Sequence, residues 1–271
     1  MAIIPVPLEK TVSYLPGTAR GPARILQASR QVELYDPELG FSPYRRGIHT
    51  LPPVDCRGDP AEVLERIEAA VKELEGRAVP ICLGGEHTLT LGAVRGLRAA
   101  GGEFSLLHLD AHADLRESYG GTPLSHASVI RRVRQLGVPT VSVGVRSLAE
   151  EEAEYIAAEG VRIYPGWKYP AGDYPWEKIA AALAGRIYIS IDLDAFDPSE
   201  VPGVGTPEPG GLGWNQALRF FRVLRDSGKT LVGADLVELC PLDGSIVSEF
   251  FAARLLYKLI GYFFSGTGEK R

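Results

Sequence analysis

The chain reads as an α/β protein on a parallel sheet, of doubly wound or barrel type, with helices on both faces. Three observations lead there. Strand-like apolar runs alternate with helical segments from end to end, and parallel strands need such helical crossovers. The 271 residues show no repeat, low-complexity stretch or obvious linker, so a single domain over 1–271 is expected. Polar clusters follow four of the apolar runs, and ligands of open α/β sheets gather beyond the carboxyl ends of the strands.

"AIIPV" is the first strand; 21–29 opens with Gly-Pro and is a helix, with Pro22 suited to its first turn. Segment 59–76 is a strong helix. Asp59 stands at its cap, Pro60 follows, apolar residues recur at 63, 64, 67, 71 and 74, and Gly76 ends it. "VPICLGG" is a buried strand, 88–101 a helix and "FSLLHLD" the next strand. Helix 125–137, strand "TVSVGV", helix 149–160 and strand "VRIYP" continue the alternation. Then come helix 175–185, strand "RIYISIDLD", helix 213–228, strand "KTLVGADLVEL" and a last helix over 247–263. The sheet is therefore expected to hold about eight strands. The apolar "RLLYKLIGYFF" is interrupted by Lys258 and is shorter than a membrane span, so it reads as a core helix and no membrane partner is expected.

Hydrophobic residues make up 45% of the chain and charged residues 23%, enough for a sizeable core. A formal net charge of -5 with no Lys/Arg block argues against a nucleic-acid partner and suits a small cationic substrate. Cys56, Cys82 and Cys240 are far apart and form no CxxC pair, so they read as reduced thiols of a cytoplasmic protein. The start "MAIIPVPLEK" lacks the basic region and apolar stretch of a signal peptide.

The chemistry sits in the four clusters. Glu86 and His87 follow "VPICLGG"; Asp110, His112 and Asp114 follow "FSLLHL"; Asp192, Asp194 and Asp197 follow "RIYISI"; Glu238 follows "LVGADLV". In an extended chain, positions two apart point the same way, so Asp110, His112 and Asp114 are expected to face one site, as are Asp192 and Asp194. Four carboxylates and two imidazoles carry too much negative charge to be buried uncompensated, and divalent cations would balance it. Six such ligands fit two metals sharing carboxylates better than one. The oxygen-rich, partly imidazole set suits manganese. Structural zinc would want more sulfur and nitrogen, and magnesium keeps more water. His108 lies inside an apolar run and reads as a buried, hydrogen-bonded strand residue rather than a ligand. No phosphate-binding GxxxxGK[ST] or strand-linked GxGxxG and no GxSxG elbow is present. "PGVGTPEPGG" reads as a rigid loop at the site rim.

The segments "GGEHTLT", "DAHADLR", "SIDLDAFDPSEVPGVGTPEPGG" and "DLVELCPLDGS" together resemble the ureohydrolases, the arginase and agmatinase family. "TVSYLPGTARGPARILQAS" and "SHASVIRRV" look like the agmatinase branch, and the likeness covers nearly the whole chain. The resemblance implies a three-layer α/β/α fold, arginase/deacetylase-like, with a mostly parallel sheet and two manganese ions per chain. His87 and Asp114 would bind one metal and His112 and Asp194 the other, bridged by Asp110 and Asp192. His126 matches a proton-shuttling, substrate-facing histidine, and Glu238 the acid that holds the guanidinium. The implied reaction cleaves agmatine, or an N-aminopropylated agmatine, to urea plus putrescine or spermidine through a metal-bridging hydroxide. Asp114 would pass a proton to the leaving amine. The Ser-Gly-Asn stretch with which arginases hold the substrate carboxylate is missing from "LRESYGGTPLSHAS", which disfavours arginine. Glu117 is a candidate partner for the distal ammonium, though a solvated surface acid is the plainer reading. Cys240 departs from the small or amide residue that relatives more often carry there. Arginase-type cleavage of a guanidino acid is the alternative; a single-zinc deacetylase or a non-catalytic metal binder lies further off. Family members commonly form homo-oligomers, trimers or hexamers.

Overall fold

The computed structural model describes residues 1–265. Its apolar runs become strands: Ala2–Val6 (β1), Pro80–Gly84 (β3), Ser105–Leu109 (β4), Thr140–Val143 (β5), Arg162–Tyr164 (β6), Arg186–Asp192 (β7) and Thr230–Val237 (β8). A two-residue strand, His49–Thr50 (β2), adds an edge. Both of its residues are exposed and carry no apolar signal, which is why the sequence does not announce it. The sheet is open, with order β2-β1-β3-β8-β7-β4-β5-β6 and every pairing parallel. Strands β1, β3, β4 and β5 are buried along their whole length. A sheet covered on both faces demands such uninterrupted apolar runs.

Among the described residues eight α-helices cover it: Gly21–Ser29 (α1), Pro60–Lys72 (α2), Leu89–Ala99 (α3), Val129–Gln135 (α4), Glu150–Glu159 (α5), Trp176–Ala181 (α6), Trp214–Asp226 (α7) and Val247–Phe264 (α8). Side chains of α2, α3 and α4, with Tyr155 and Ile156 of α5, share one apolar core. Side chains of α1, α6, α7 and α8 share another, so the fold is a three-layer α/β/α sandwich. Asp59 caps α2 in a reciprocal box: its carboxylate accepts the Glu62 N–H at 2.9 Å while Glu62 accepts the Asp59 N–H at 3.3 Å. Beyond Lys72 the chain only turns, so α2 is shorter than the expected 59–76. Segment 125–137 begins as a 3-10 turn, His126–Ser128, before α4 starts.

Helices α2 and α3 pack backbone against backbone. A Cβ added at Gly92 would lie 2.8 Å from the Leu64 carbonyl oxygen, and one at Gly96 2.7 Å from that of Glu68. The topology then fixes where chemistry can occur. Strands β3, β8, β7 and β4 are consecutive neighbours in the middle of the sheet, and each carries one of the four polar clusters past its carboxyl end.

Candidate metal centre and its cavity

Beyond β3, the His87 backbone N–H donates to Glu238 Oε1 at 2.7 Å, tying the ends of β3 and β8 together. The His87 ring is held from below. Ser190 of β7 donates its only hydroxyl proton to Asp235 Oδ1 at 2.7 Å, so at 2.7 Å from His87 Nε2 it must accept. Asp235 also accepts from Tyr188 and Thr90, at 2.6 and 2.7 Å. Nε2 therefore carries a proton, and in the neutral imidazole Nδ1 is left with the lone pair. That buried Nδ1 has no hydrogen-bond partner. Around it stand Asp110 Oδ2 at 3.1 Å, Asp114 Oδ2 at 3.1 Å and Asp192 Oδ2 at 3.3 Å. A lone pair facing three carboxylate oxygens is a repulsive arrangement unless a cation joins them.

A second group adjoins the first. His112 Nδ1 lies 2.9 Å from Asp194 Oδ2 and 3.5 Å from Asp110 Oδ1. Asp110 thus turns one oxygen to each histidine. Backbone donors hold the carboxylates: His112 N–H to Asp110 at 2.6 Å, Ala111 N–H to Asp194 at 3.0 Å and Asp194 N–H to Asp192 at 2.8 Å. Two sets, His87–His108–Asp110–Asp114 and Asp110–His112–Asp194, each bring their ligand atoms within 4.8 Å of one another. His108 is near enough to ligate, but both its ring nitrogens are engaged. Nε2 donates to Asp110 Oδ2 at 2.8 Å, and Nδ1 faces the Ser142 hydroxyl at 3.1 Å. It is the buried, hydrogen-bonded residue expected from its apolar run.

The convergence is not produced by strand pleating, as the alternation had suggested. Strand β4 stops at Leu109, and Asp114 sits at φ 55, in the left-handed region. Three side chains that a flat strand would have aimed in parallel are wrapped around one point. Glu238 is the other described non-glycine residue with positive φ, at 63. Two such backbones in one site, each unfavourable for an L-residue, mark where the fold trades stability for placement.

The charge balance points the same way. Burial drives the Asp192 carboxyl well above the usual range, with the charges of Asp194 and Asp110 adding. Burial likewise raises Glu238, and Glu86 adds to it. Against the downward pull of its own burial, His112 is pushed up to about 12 by Asp194 and Asp110. Left to themselves these groups balance charge only by holding protons. Divalent cations would replace those protons and leave neutral imidazoles and ionised carboxylates as ligands.

A cavity of about 280 Å³ opens onto both groups; His87, His112, Asp114, His126, Asp192, Asp194 and Glu238 line it, with Asp110 buried beneath. Its rim carries Tyr14, Leu15, Arg116, Tyr119 and, from the Gly/Pro-rich loop, Gly205 and Thr206. Arg146 pins that loop through the carbonyls of Glu208 and Pro209, at 2.5 and 2.9 Å. Glu117 is not among the residues lining the cavity; it is exposed and ion-paired with Arg131 and Arg132, as the plainer reading of a solvated surface acid expects. Cys240 lies behind the N-terminal loop, its thiol on the Pro16 carbonyl at 3.4 Å. Sequence reading did not single out Ser190, Asp235, Thr11 or Ser13. The first two had a signal, a polar residue inside an otherwise apolar strand.

A parallel sheet whose central strand ends gather two histidine–aspartate groups around one shared carboxylate is the layout of a binuclear metal protein. Residues 1–261 match the model of the arginase family, and the chain belongs to that family. It is 41% identical to the N(1)-aminopropylagmatine ureohydrolase of Synechocystis sp., covering 100% of this chain and 91% of the relative. It is 37% identical to the agmatinase of Bacillus cereus, covering 89% and 84%. The crystal structure of agmatine ureohydrolase of Thermoplasma volcanium superposes with a TM-score of 0.88 at 32% identity, covering 97% of this chain and 89% of that one. No helix among the described residues is long and apolar enough to cross a membrane.

Proposed function

We propose that this chain hydrolyses agmatine-type guanidines, N(1)-aminopropylagmatine or agmatine, to urea and spermidine or putrescine. The observation that carries the reading is Glu238. Its carboxylate lines the same cavity as both histidine–aspartate groups, fixed 2.7 Å from the His87 amide, so a guanidinium paired with it lies beside a hydrolytic centre. The names of the relatives support the substrate class, and so does the missing arginase stretch between Leu115 and Ser128.

His87, Asp110 and Asp114 would hold one divalent ion and His112, Asp110 and Asp194 the other, with Asp192 between them; this donor set suits two manganese ions. When bound, the metal pair supplies a strongly acidified water as nucleophile. The chain's own groups do the rest. Glu238 orients the guanidinium through charge-assisted hydrogen bonds. Asp114, at the cavity wall, is placed to hand a proton to the departing amine. His126, which also lines the cavity, exchanges protons with solvent.

The test is urea release by manganese-loaded protein from N(1)-aminopropylagmatine, agmatine, arginine and guanidinobutyrate. Turnover of the first two with little of the others is expected; arginine turned over as well as agmatine would overturn the substrate assignment. Elemental analysis should find two manganese per chain, and Asp110→Ala should lose metal and activity together. A fully active Asp110→Ala protein would refute the shared-ligand role.

A further inference from the structure

We propose that Thr11 and Ser13, on the loop after β1, lock His126 in its Nδ1–H tautomer, so that Nε2 alone exchanges protons, through the Ser13 hydroxyl. The inference deepens the reading of His126 as proton carrier and rests on it.

Counting protons fixes the tautomer. Glu86 is fully buried, and its carboxylate receives four donors. These are the N–H groups of Lys10 and Thr11 at 2.5 and 2.7 Å, and the hydroxyls of Thr11 and Thr88 at 3.0 and 2.8 Å. The single hydroxyl proton of Thr11 is therefore committed to Glu86. Toward His126 the same oxygen can only accept. It accepts twice, from the His126 backbone N–H at 3.2 Å and from the ring at Nδ1, 3.1 Å away. One donated and two accepted bonds fill the oxygen's capacity, and they place the ring proton on Nδ1. The free lone pair is then on Nε2, which accepts from Ser13 Oγ at 2.7 Å.

Ser13 is exposed and lines the cavity rim, whereas Thr11 faces inward to Glu86. The two ring nitrogens thus have separate duties: Nδ1 is anchored and Nε2 faces the exit. When Nε2 takes a proton from a cavity water, whose O–H bond breaks to leave hydroxide, the new N–H points at Ser13 Oγ. Handing it on breaks the Nε2–H bond and forms an Oγ–H bond, and the serine's original proton leaves to solvent water. The charged and titratable groups around the ring are Glu86, Asp114, His87 and His112, with the Tyr119 ring edge-on at 5.4 Å. Burial holds His126 below its ordinary value, which keeps Nε2 free at neutral pH.

The chain has five histidines, few enough for imidazole nitrogen NMR to resolve each by single substitution. In zinc-loaded, diamagnetic protein without substrate, His126 is expected as the Nδ1–H tautomer. Thr11→Val should shift it toward Nε2–H and lower kcat roughly ten- to a hundredfold with little change in KM, while Thr11→Ser should restore both. Ser13→Ala should keep the tautomer and lower kcat. An Nε2–H tautomer in the unsubstituted protein overturns the proposal, as does a Thr11→Val protein with unchanged tautomer and pH profile. The tautomer is read without turnover, so it is decided even if no guanidine proves to be a substrate or Thr11→Val does not fold.

Discussion

On one short segment, His108 and His112 present their nitrogens to the same carboxylate in different ways. His112 turns a ring nitrogen to the cavity, while His108 spends one on Asp110 and the other on Ser142. Asp110 has to divide its two oxygens between the histidine groups, and the His108 N–H fixes the rotation that permits this. His108→Leu should therefore weaken metal binding by about 10–100-fold, the usual cost of losing a partner behind a ligand. Chelator competition measures it, and an unchanged affinity would show that Asp110 needs no such support. The residues of the two histidine–aspartate groups were legible because carboxylates and imidazoles massed at the ends of apolar runs are costly to bury without a cation. Their supports were not. Ser190 meets His87 across 103 residues and Asp235 across 45, and Thr11 meets His126 across 115. A hydroxyl in a strand or loop carries no mark of the partner it will find at that separation.

Among elements, the contact of α2 with α3 is the tightest test of packing. Gly92→Ala would gain about 1 kcal/mol of helix propensity. Its new methyl would meet the Leu64 oxygen at 2.8 Å and Ile67 Cβ at 2.9 Å, and forcing a packed helix pair apart costs about 1–3 kcal/mol. Because the obstacles are a backbone atom and a β-branched carbon, neither free to swing away, overpacking wins. A net loss of up to about 2 kcal/mol in denaturant unfolding is the expected outcome, and a stabilised variant would contradict it. At this scale the sequence was most informative. Buried strands have to be continuous apolar runs, and seven of the eight strands were read in that way. Helix ends were overrun because apolar spacing persists into the closing turn, as at Leu74, which packs on the core after α2 has ended at Lys72.

Across the whole molecule, a partly open ionic knot, buried at its Lys258–Asp36 end, joins the segment after α1 to helices α7 and α8. Lys258 of α8 binds Asp36 and Glu38, at 2.9 and 2.8 Å, and Glu38 also accepts from Arg222 of α7 at 2.6 Å and Tyr262 at 2.7 Å. Burial alone would raise Glu38, but these donors pull it from 4.5 down to about 2. A carboxyl with a depressed folded value stabilises the fold above its unfolded value and loses that contribution as pH falls through the folded one. The window is therefore pH 4.5 to 2. Glu38→Gln should flatten the stability curve there and cost about 1 kcal/mol at neutral pH, discounted for the solvent around this partly open group. An acid unfolding curve parallel to that of the unsubstituted protein would remove Glu38 from the knot. The strand order carries a consequence for how the chain comes to be made. β8 follows both β3 and β7 in the chain, yet it lies between them in the sheet. Until residues 230–237 leave the ribosome, two apolar strand edges wait without a neighbour, and Glu238 is absent from the half-built site. Assembly of the centre thus waits for β8 rather than growing by gradual accretion, and the waiting edges are where a nascent chain is most exposed to aggregation.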